Sequence, residues 1–149
     1  MARLKKRILV VDDEPAIRSV LEFILKRAGH RVTQANNGRE AWEYAEDAAF
    51  DLVVTDCLMP EMNGPELCER LRSSVAHRET PIIVVTAKSL EMELPQLRLK
   101  LGLMSIFTKP FSPQAIACTA HGYLRGQPSH STEDDSKTVG KSTTQTAVM

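Results

Sequence analysis

The chain has 149 residues, of which 42% are hydrophobic and 26% charged, a composition typical of a soluble globular domain with its own core. Its 19 basic and 19 acidic residues give a formal net charge of zero, and nothing in this balance indicates bulk attraction to nucleic acid or to an anionic membrane. Three cysteines without a C-x-x-C pair disfavour a disulfide framework or a zinc site, and they fit a reducing, cytoplasmic compartment.

The N-terminus carries several basic residues before a short apolar run at 8–11, and we interpret them as a solvated lead-in to a strand. A secretory signal needs about 7–15 apolar residues, whereas this run meets Asp12 and Asp13 at once. No run approaches the roughly 20 apolar residues of a membrane span. We therefore expect a cytoplasmic protein that does not associate with a membrane.

The first half of the chain alternates short apolar runs with longer segments whose apolar residues recur at helical spacing. In chain order they predict a strand at 8–11, a helix from 15 to 28, a half-polar edge strand at 31–35, a turn at 36–38, a helix through 41–45 and a strand at 52–56. Pro15 suits the first turn of a helix because its missing N–H needs no partner there. Trp42 is interpreted as packing between a helix and the sheet.

The second half continues the alternation with one irregular segment. It predicts a helix from Pro65, a polar connection at 73–80, a strand at 82–85 that ends in Thr86, a helix near Pro95, a strand at 105–108, and a last helix from Pro113. An interior proline costs a helix about 3 kcal/mol, so the helix near Pro95 is expected to be short or irregular. Residues 126–149 are rich in Ser and Thr and predict a disordered tail after one domain spanning 1–125.

Strands and helices that alternate five times predict an α/β fold, a doubly wound parallel sheet with helices on both faces in a three-layer sandwich. Five strands with a weak second strand suit the flavodoxin-like order 2-1-3-4-5. In this order the first, third, fourth and fifth strands lie side by side, and ligands bind beyond their carboxyl ends.

Charged and hydroxyl side chains stand where these four strands are predicted to end, namely Asp12, Asp13, Asp56, Thr86 and Lys109. Three clustered carboxylates repel one another unless a cation lies among them, and hard oxygen ligands suit Mg²⁺. The central carboxylate can act as a nucleophile toward phosphorus. Phosphoryl transfer depends mainly on positioning and charge neutralisation, which a metal ion and a lysine ammonium supply.

Four motifs appear in the order Val11-Asp12-Asp13-Glu14-Pro15, Thr55-Asp56-Cys57-Leu58-Met59-Pro60 with Gly64, Thr86-Ala87, and Thr108-Lys109-Pro110-Phe111. Together they resemble the receiver domain of two-component response regulators, of the single-domain chemotaxis-regulator type, over about residues 5–125. The resemblance implies that Asp56 is the phosphoacceptor. It also implies that Asp13, Asp56 and the backbone carbonyl of Leu58 hold Mg²⁺, and that Asp12 acts through the water ligands of the metal.

For the other strand ends, the resemblance implies that Lys109 contacts the phosphoryl group, that its bond to Pro110 is cis, and that Thr86 moves toward the phosphoryl group. The phosphoryl donor would be a sensor histidine kinase or a histidine phosphotransfer protein. The domain would catalyse only its own phosphorylation and a slow dephosphorylation.

The expected output is contact with another protein, because the sequence leaves no room for a DNA-binding domain. We expect a monomer or weak dimer. Its unknown output protein should bind the face formed by the helix near Pro95, the fifth strand and the last helix.

Two positions depart from the family pattern. Receivers usually carry an aromatic residue three positions before the lysine, but Ile106 stands there, and Phe107 should face the opposite side of the sheet. We therefore expect the signal to travel through backbone movement of residues 87–105. Leu58 and Lys88 align with positions that tune dephosphorylation. Because Leu58 cannot hydrogen-bond an attacking water, a long-lived phosphoryl group is expected.

Two alternatives stay open. A degenerate receiver that binds partners without phosphate is compatible with Ile106. A Mg²⁺-dependent phosphohydrolase would also use an aspartyl nucleophile at a strand end, but such enzymes resemble Asp-x-Asp, and the second acid is replaced here by Leu58.

Overall fold

The computed structural model describes residues 5–59, 61–87, 102 and 105–126. The elements in this part of the chain are β1 (Arg7–Val11), α1 (Pro15–Arg27), β2 (Arg31–Ala35), α2 (Gly38–Asp47), β3 (Leu52–Asp56), α3 (Gly64–Arg72), β4 (Ile82–Thr86), β5 (Ser105–Thr108) and α4 (Pro113–Gly126). The predicted helix near Pro95, Lys88 and residues 127–149 of the predicted tail lie outside the described residues. Gly126, predicted to be the first residue of the tail, is instead the last residue of α4. None of the helices in the described ranges combines the length and apolar content that a membrane crossing requires.

The five strands form one parallel sheet in the order β2-β1-β3-β4-β5, which confirms the predicted flavodoxin-like arrangement. Val11 is paired with Thr55, Asp56 with Val85, and Thr86 with Thr108. This register brings the carboxyl ends of β1, β3, β4 and β5 to the same edge of the sheet. The polar residues predicted at these ends therefore converge.

Two apolar clusters, one on each face of the sheet, complete the three-layer sandwich. Alternate strand residues such as Leu9 and Val53 pack with α2 and α3, while their neighbours Ile8 and Val54 pack with α1 and α4. This period of two is what a strand that is covered on both faces requires. Trp42 is partly buried against the first cluster, which confirms its interpretation as a packing residue.

Asparagine side chains cap the N-termini of two helices. The side chain of Asn37 accepts the N–H of Glu40 at the start of α2, and Asn63 forms a capping box with Glu66 at the start of α3. Each helix begins at a glycine directly after its asparagine. Gly38, which the sequence placed in a turn, is therefore the first residue of α2.

The side chain of His77, in the polar connection between α3 and β4, is fully buried. Its Nε2 accepts a hydrogen bond from the backbone N–H of Phe50 at 3.0 Å, and its carbonyl accepts one from Arg72 at 3.0 Å. Burial lowers the pKa of His77, which keeps the ring neutral and able to accept. His77 thus anchors this connection to the start of β3 and has a structural role.

Candidate functional site

Three carboxylates meet beyond the carboxyl ends of β1 and β3. Asp12 and Asp13 follow β1, Asp56 ends β3, and one carboxylate oxygen of each lies within 4.8 Å of the others. Asp12 and Asp56 are buried, whereas Asp13 is exposed. The structure therefore brings together the three acids predicted from the sequence, in a site that has one side open to solvent.

The ammonium group of Lys109 reaches the same site from the end of β5. Its Nζ lies 3.4 Å from Asp12 Oδ2, 3.5 Å from Asp56 Oδ1 and 3.4 Å from Glu14 Oε1. Burial lowers the pKa of Lys109, but attraction to Asp12 and Asp56 outweighs this effect and leaves the pKa above its ordinary value. The lysine is thus fully charged. The Lys109–Pro110 peptide bond is cis, as the resemblance implied.

The positive charge of Lys109 does not offset the unfavourable burial and mutual repulsion of the clustered carboxylates. Burial and, after it, repulsion from Asp12 raise the pKa of Asp56 to about 6, against the attraction of Lys109. The pKa of Asp12 is also raised, chiefly by burial, although the backbone N–H of Glu14 donates to Asp12 Oδ1 at 2.9 Å. Closely spaced oxygen donors with unrelieved repulsion are the setting that a hard divalent cation such as Mg²⁺ fits.

Two further predicted site residues flank the acids. The buried hydroxyl of Thr86 donates to the carbonyl of Ala87 at 3.3 Å, in a strand that lies directly beside β3. Leu58 follows Asp56 by two residues and is 59% exposed. An apolar side chain of this exposure leaves its position without a hydrogen-bonding group toward solvent.

The loop after β3 is held by close backbone approaches at two glycines. A Cβ atom on Gly64 would lie 2.4 Å from the carbonyl oxygen of Asp56, and one on Gly38 would lie 2.0 Å from that of Met62. Gly64 also donates its N–H to the carbonyl of Cys57 at 2.9 Å. The absence of a side chain at both positions therefore allows the close backbone approaches that the loop carrying Leu58 makes.

The neighbouring residues of β5 face opposite sides of the sheet. Ile106 packs against the cluster beneath α2 and α3, whereas Phe107 packs against the cluster beneath α1 and α4. The prediction that Phe107 cannot take the place of an aromatic residue at position 106 is thus confirmed. The predicted movement of residues 87–105 stays a prediction, because most of that segment lies outside the described residues.

A five-stranded parallel sheet with clustered aspartates and a lysine at its carboxyl edge defines a doubly wound signalling domain of the receiver class. The family model described as "Response regulator receiver domain" matches residues 8–121, and the chain belongs to this family of two-component signalling domains.

Curated relatives are longer proteins. The chain is 39% identical over 122 residues to the alkaline phosphatase synthesis transcriptional regulatory protein PhoP of Bacillus subtilis, covering 82% of this chain and 50% of the relative. It is 34% identical to the transcriptional regulatory protein SrrA of Staphylococcus aureus, covering 82% and 49% of the two chains. The chain therefore spans about half the length of these relatives.

Solved structures resemble the whole domain. The chemotaxis response regulator CheY4 of Vibrio cholerae is 33% identical with a TM-score of 0.74, over 81% of this chain and 100% of that one. The receiver domain of the sensor histidine kinase PA1611 from Pseudomonas aeruginosa PAO1 is 28% identical with a TM-score of 0.72, over 82% and 99%. That structure holds a magnesium ion coordinated in its active site cleft.

Sequence reasoning missed the contact of Glu14 with Lys109 and a second contact of the site, that of Arg18. The guanidinium of Arg18 donates from Nη1 to the carbonyl oxygen of Asp12 at 2.8 Å. The available signal was weak: a basic residue close to the N-terminus of a helix, where the helix dipole disfavours a cation.

Proposed function

We propose that this receiver domain accepts a phosphoryl group on Asp56 in a Mg²⁺-dependent phosphorelay and signals by protein–protein contact. The observation that carries this proposal is the position of Asp56, buried at the end of β3, 3.5 Å from Lys109 Nζ and within 4.8 Å of two further carboxylates. The donor would be the phosphohistidine of a sensor histidine kinase or of a histidine phosphotransfer protein, and the output partner would be another protein.

In this proposal Asp13, Asp56 and the backbone carbonyl of Leu58 hold Mg²⁺, and Asp12 acts through its water ligands. When bound, the metal supplies positive charge to the phosphoryl oxygens. A carboxylate oxygen of Asp56 forms the new bond to phosphorus, while the bond from phosphorus to the donor nitrogen breaks.

Lys109 and Thr86 act on the transferred group. The Lys109 ammonium, now shared by Asp12, Glu14 and Asp56, would turn to a phosphoryl oxygen as the carboxylate of Asp56 is modified. The Thr86 hydroxyl would exchange its acceptor, the carbonyl of Ala87, for a phosphoryl oxygen. This exchange moves a group of β4 at the point where the chain enters residues 87–105.

We further propose that the domain turns over no separate substrate. A phosphohydrolase with an aspartyl nucleophile would need an acid two residues after Asp56, and the exposed Leu58 cannot carry a proton there. The chemistry of the domain would be limited to its own phosphorylation and a slow dephosphorylation.

Treatment with acetyl phosphate and Mg²⁺ tests the proposed phosphorylation. We expect intact-mass spectrometry to find one phosphoryl group per chain, peptide mapping to place it on Asp56, and chelation of Mg²⁺ by EDTA to prevent it. An adduct on another residue would contradict the role of Asp56. A chain that takes no phosphoryl group under these conditions would favour the degenerate receiver, the alternative that Ile106 supports by lacking the usual ring.

Leu58→Asn is expected to shorten the lifetime of the phosphoryl group. An amide can hold an attacking water by a hydrogen bond worth about 1 kcal/mol, roughly a fivefold increase in rate. Loss of radiolabel from the purified phosphoprotein measures the rate. Val75→Asn is the matched control, because Val75 is 83% exposed in the connection after α3, far from the acids along the chain. Equal or slower decay in Leu58→Asn than in the wild type would refute the expectation.

A further inference from the structure

We infer that Arg18 is a positioning residue for the acidic site, and that Gln34 on the edge strand β2 holds Arg18 in place. Arg18 Nη1 donates to the carbonyl of Asp12 at 2.8 Å, and Arg18 Nε donates to Gln34 Oε1 at 2.9 Å. The inference rests on the Mg²⁺ site proposed above, for which Arg18 provides no ligand atom.

The contact of Arg18 acts on the peptide group that joins Asp12 to Asp13. Every other polar group of Asp12 is also engaged: its N–H donates to Ala35 O at 3.2 Å, Oδ1 accepts from Glu14, and Oδ2 lies 3.4 Å from Lys109 Nζ. Without Arg18, the Asp12 carbonyl would lose its side-chain donor and the peptide plane could rotate. Such a rotation would redirect the exposed carboxylate of Asp13.

Gln34 is itself fixed by a partner on α1. Its amide nitrogen donates to Glu22 Oε1 while its amide oxygen accepts from Arg18, so both ends of the amide are used. Hydrogen bonds and attraction from Lys26, 3.0 Å away, lower the pKa of Glu22 together with the bond from Gln34, which keeps Glu22 an ionised acceptor. Gln34, a polar residue of β2, is thus part of a chain of contacts that leads from Glu22 to the acidic site.

If Arg18 acts by positioning the site, its replacement should change the Mg²⁺ affinity in the opposite direction from that expected if it acts only through its charge. A cation beside the acids repels Mg²⁺, so removing its charge alone would tighten binding. Removing a hydrogen bond that orients a ligand-bearing segment weakens binding, and loss of such partners typically costs about 10–100-fold in metal affinity. The sign of the change in Mg²⁺ affinity therefore separates the two roles.

Calorimetric titrations with Mg²⁺ and with Ca²⁺ test this role. For Arg18→Met we expect the Kd for Mg²⁺ to rise about tenfold. The Kd for Ca²⁺ should rise less than about threefold, because Ca²⁺ tolerates irregular ligand geometry that Mg²⁺ does not. Arg18→Lys, which keeps the charge and one donor, should lie between Arg18→Met and the wild type, and Gln34→Met should weaken Mg²⁺ binding in the same direction.

Arg27→Met is the matched control, since Arg27 is on the same helix but stacks 5.7 Å from the ring centroid of Phe23, at the opposite end from the acids. It should bind both cations as the wild type does. Unchanged or tighter Mg²⁺ binding in Arg18→Met would overturn the inference, and so would an equal loss for both cations, which indicates general structural damage. A wild-type protein that binds neither cation would overturn the proposed metal site itself and the inference with it.

Discussion

Asp56→Asn is expected to abolish phosphoryl incorporation and, in the absence of Mg²⁺, to stabilise the protein near neutral pH. An amide offers no carboxylate oxygen for the transfer. Burial and the repulsion of Asp12 raise the pKa of Asp56 from 3.8 to about 6, so the folded state holds this proton more tightly than the unfolded chain. The ionised group therefore destabilises the folded protein, by up to about 3 kcal/mol for a pKa difference of this size.

The pH dependence follows from the raised pKa. At a pH below the ordinary pKa of 3.8, Asp56 is protonated in both the folded and the unfolded state and does not affect the free energy of unfolding. As pH rises toward about 6, the loss of stability caused by ionised Asp56 grows, and above that pH it is complete. Urea unfolding at pH 8 should show Asp56→Asn more stable by about 2 kcal/mol, since Asn does not reproduce every contact of the carboxylate. The stability gain of Asp56→Asn should shrink toward pH 4.5. Mg²⁺ should also reduce the difference between the two proteins, because it stabilises the wild type more than a variant that has lost one ligand.

Asp51→Asn provides the control for a carboxylate outside the acidic site. Asp51 precedes β3 and its Oδ2 accepts the backbone N–H of Arg7 at 2.8 Å, so its replacement should reduce stability and leave phosphorylation intact. An Asp56→Asn protein less stable than the wild type at pH 8 without Mg²⁺ would contradict the electrostatic cost assigned to Asp56.

The strand ends could be predicted from the sequence because each depends on local patterns. Four apolar runs that each meet a charged or hydroxyl residue give both the strands and the side chains at their carboxyl ends. The alternation with helices then limits the strand order, and this order brings Asp12, Asp56 and Lys109 to one edge. The opposite faces of Ile106 and Phe107 were equally predictable, because the period of two along a strand needs no knowledge of its neighbours.

Contacts between side chains and backbone groups could not be predicted in this way. Arg18 holds a carbonyl group, and every residue has a carbonyl, so no residue type in the sequence marks the acceptor. His77 is buried in a segment of polar composition because its ring accepts from the N–H of Phe50, 27 residues away. Gly38 resembled a turn glycine. The structure shows a different reason for a glycine there, because the backbone of Met62 lies where a side chain on residue 38 would be.

Gly64→Ala is expected to destabilise the protein by about 3 kcal/mol and to weaken the acidic site. The added Cβ would lie 2.4 Å from the carbonyl oxygen of Asp56 and 3.0 Å from Cys57 Cα. These are backbone atoms that cannot turn aside as a side chain would, because the N–H of Cys57 is bonded to Val85 O at 3.1 Å within the sheet. Either α3 must move away or the end of β3 must shift, and urea unfolding with and without Mg²⁺ measures both consequences.

Gly122→Ala makes the same chemical change where the surroundings are open. Gly122 lies inside α4, and a Cβ there would meet nothing within 4 Å, so the substitution should stabilise the helix by about 0.5–1 kcal/mol. Opposite signs for the two variants would show that close approach, and not glycine content, determines the effect at Gly64. If Gly64→Ala instead matched the wild type in stability and in Mg²⁺ affinity, the end of β3 would have to yield easily. The close backbone approach at Gly64 would then not constrain the loop after β3.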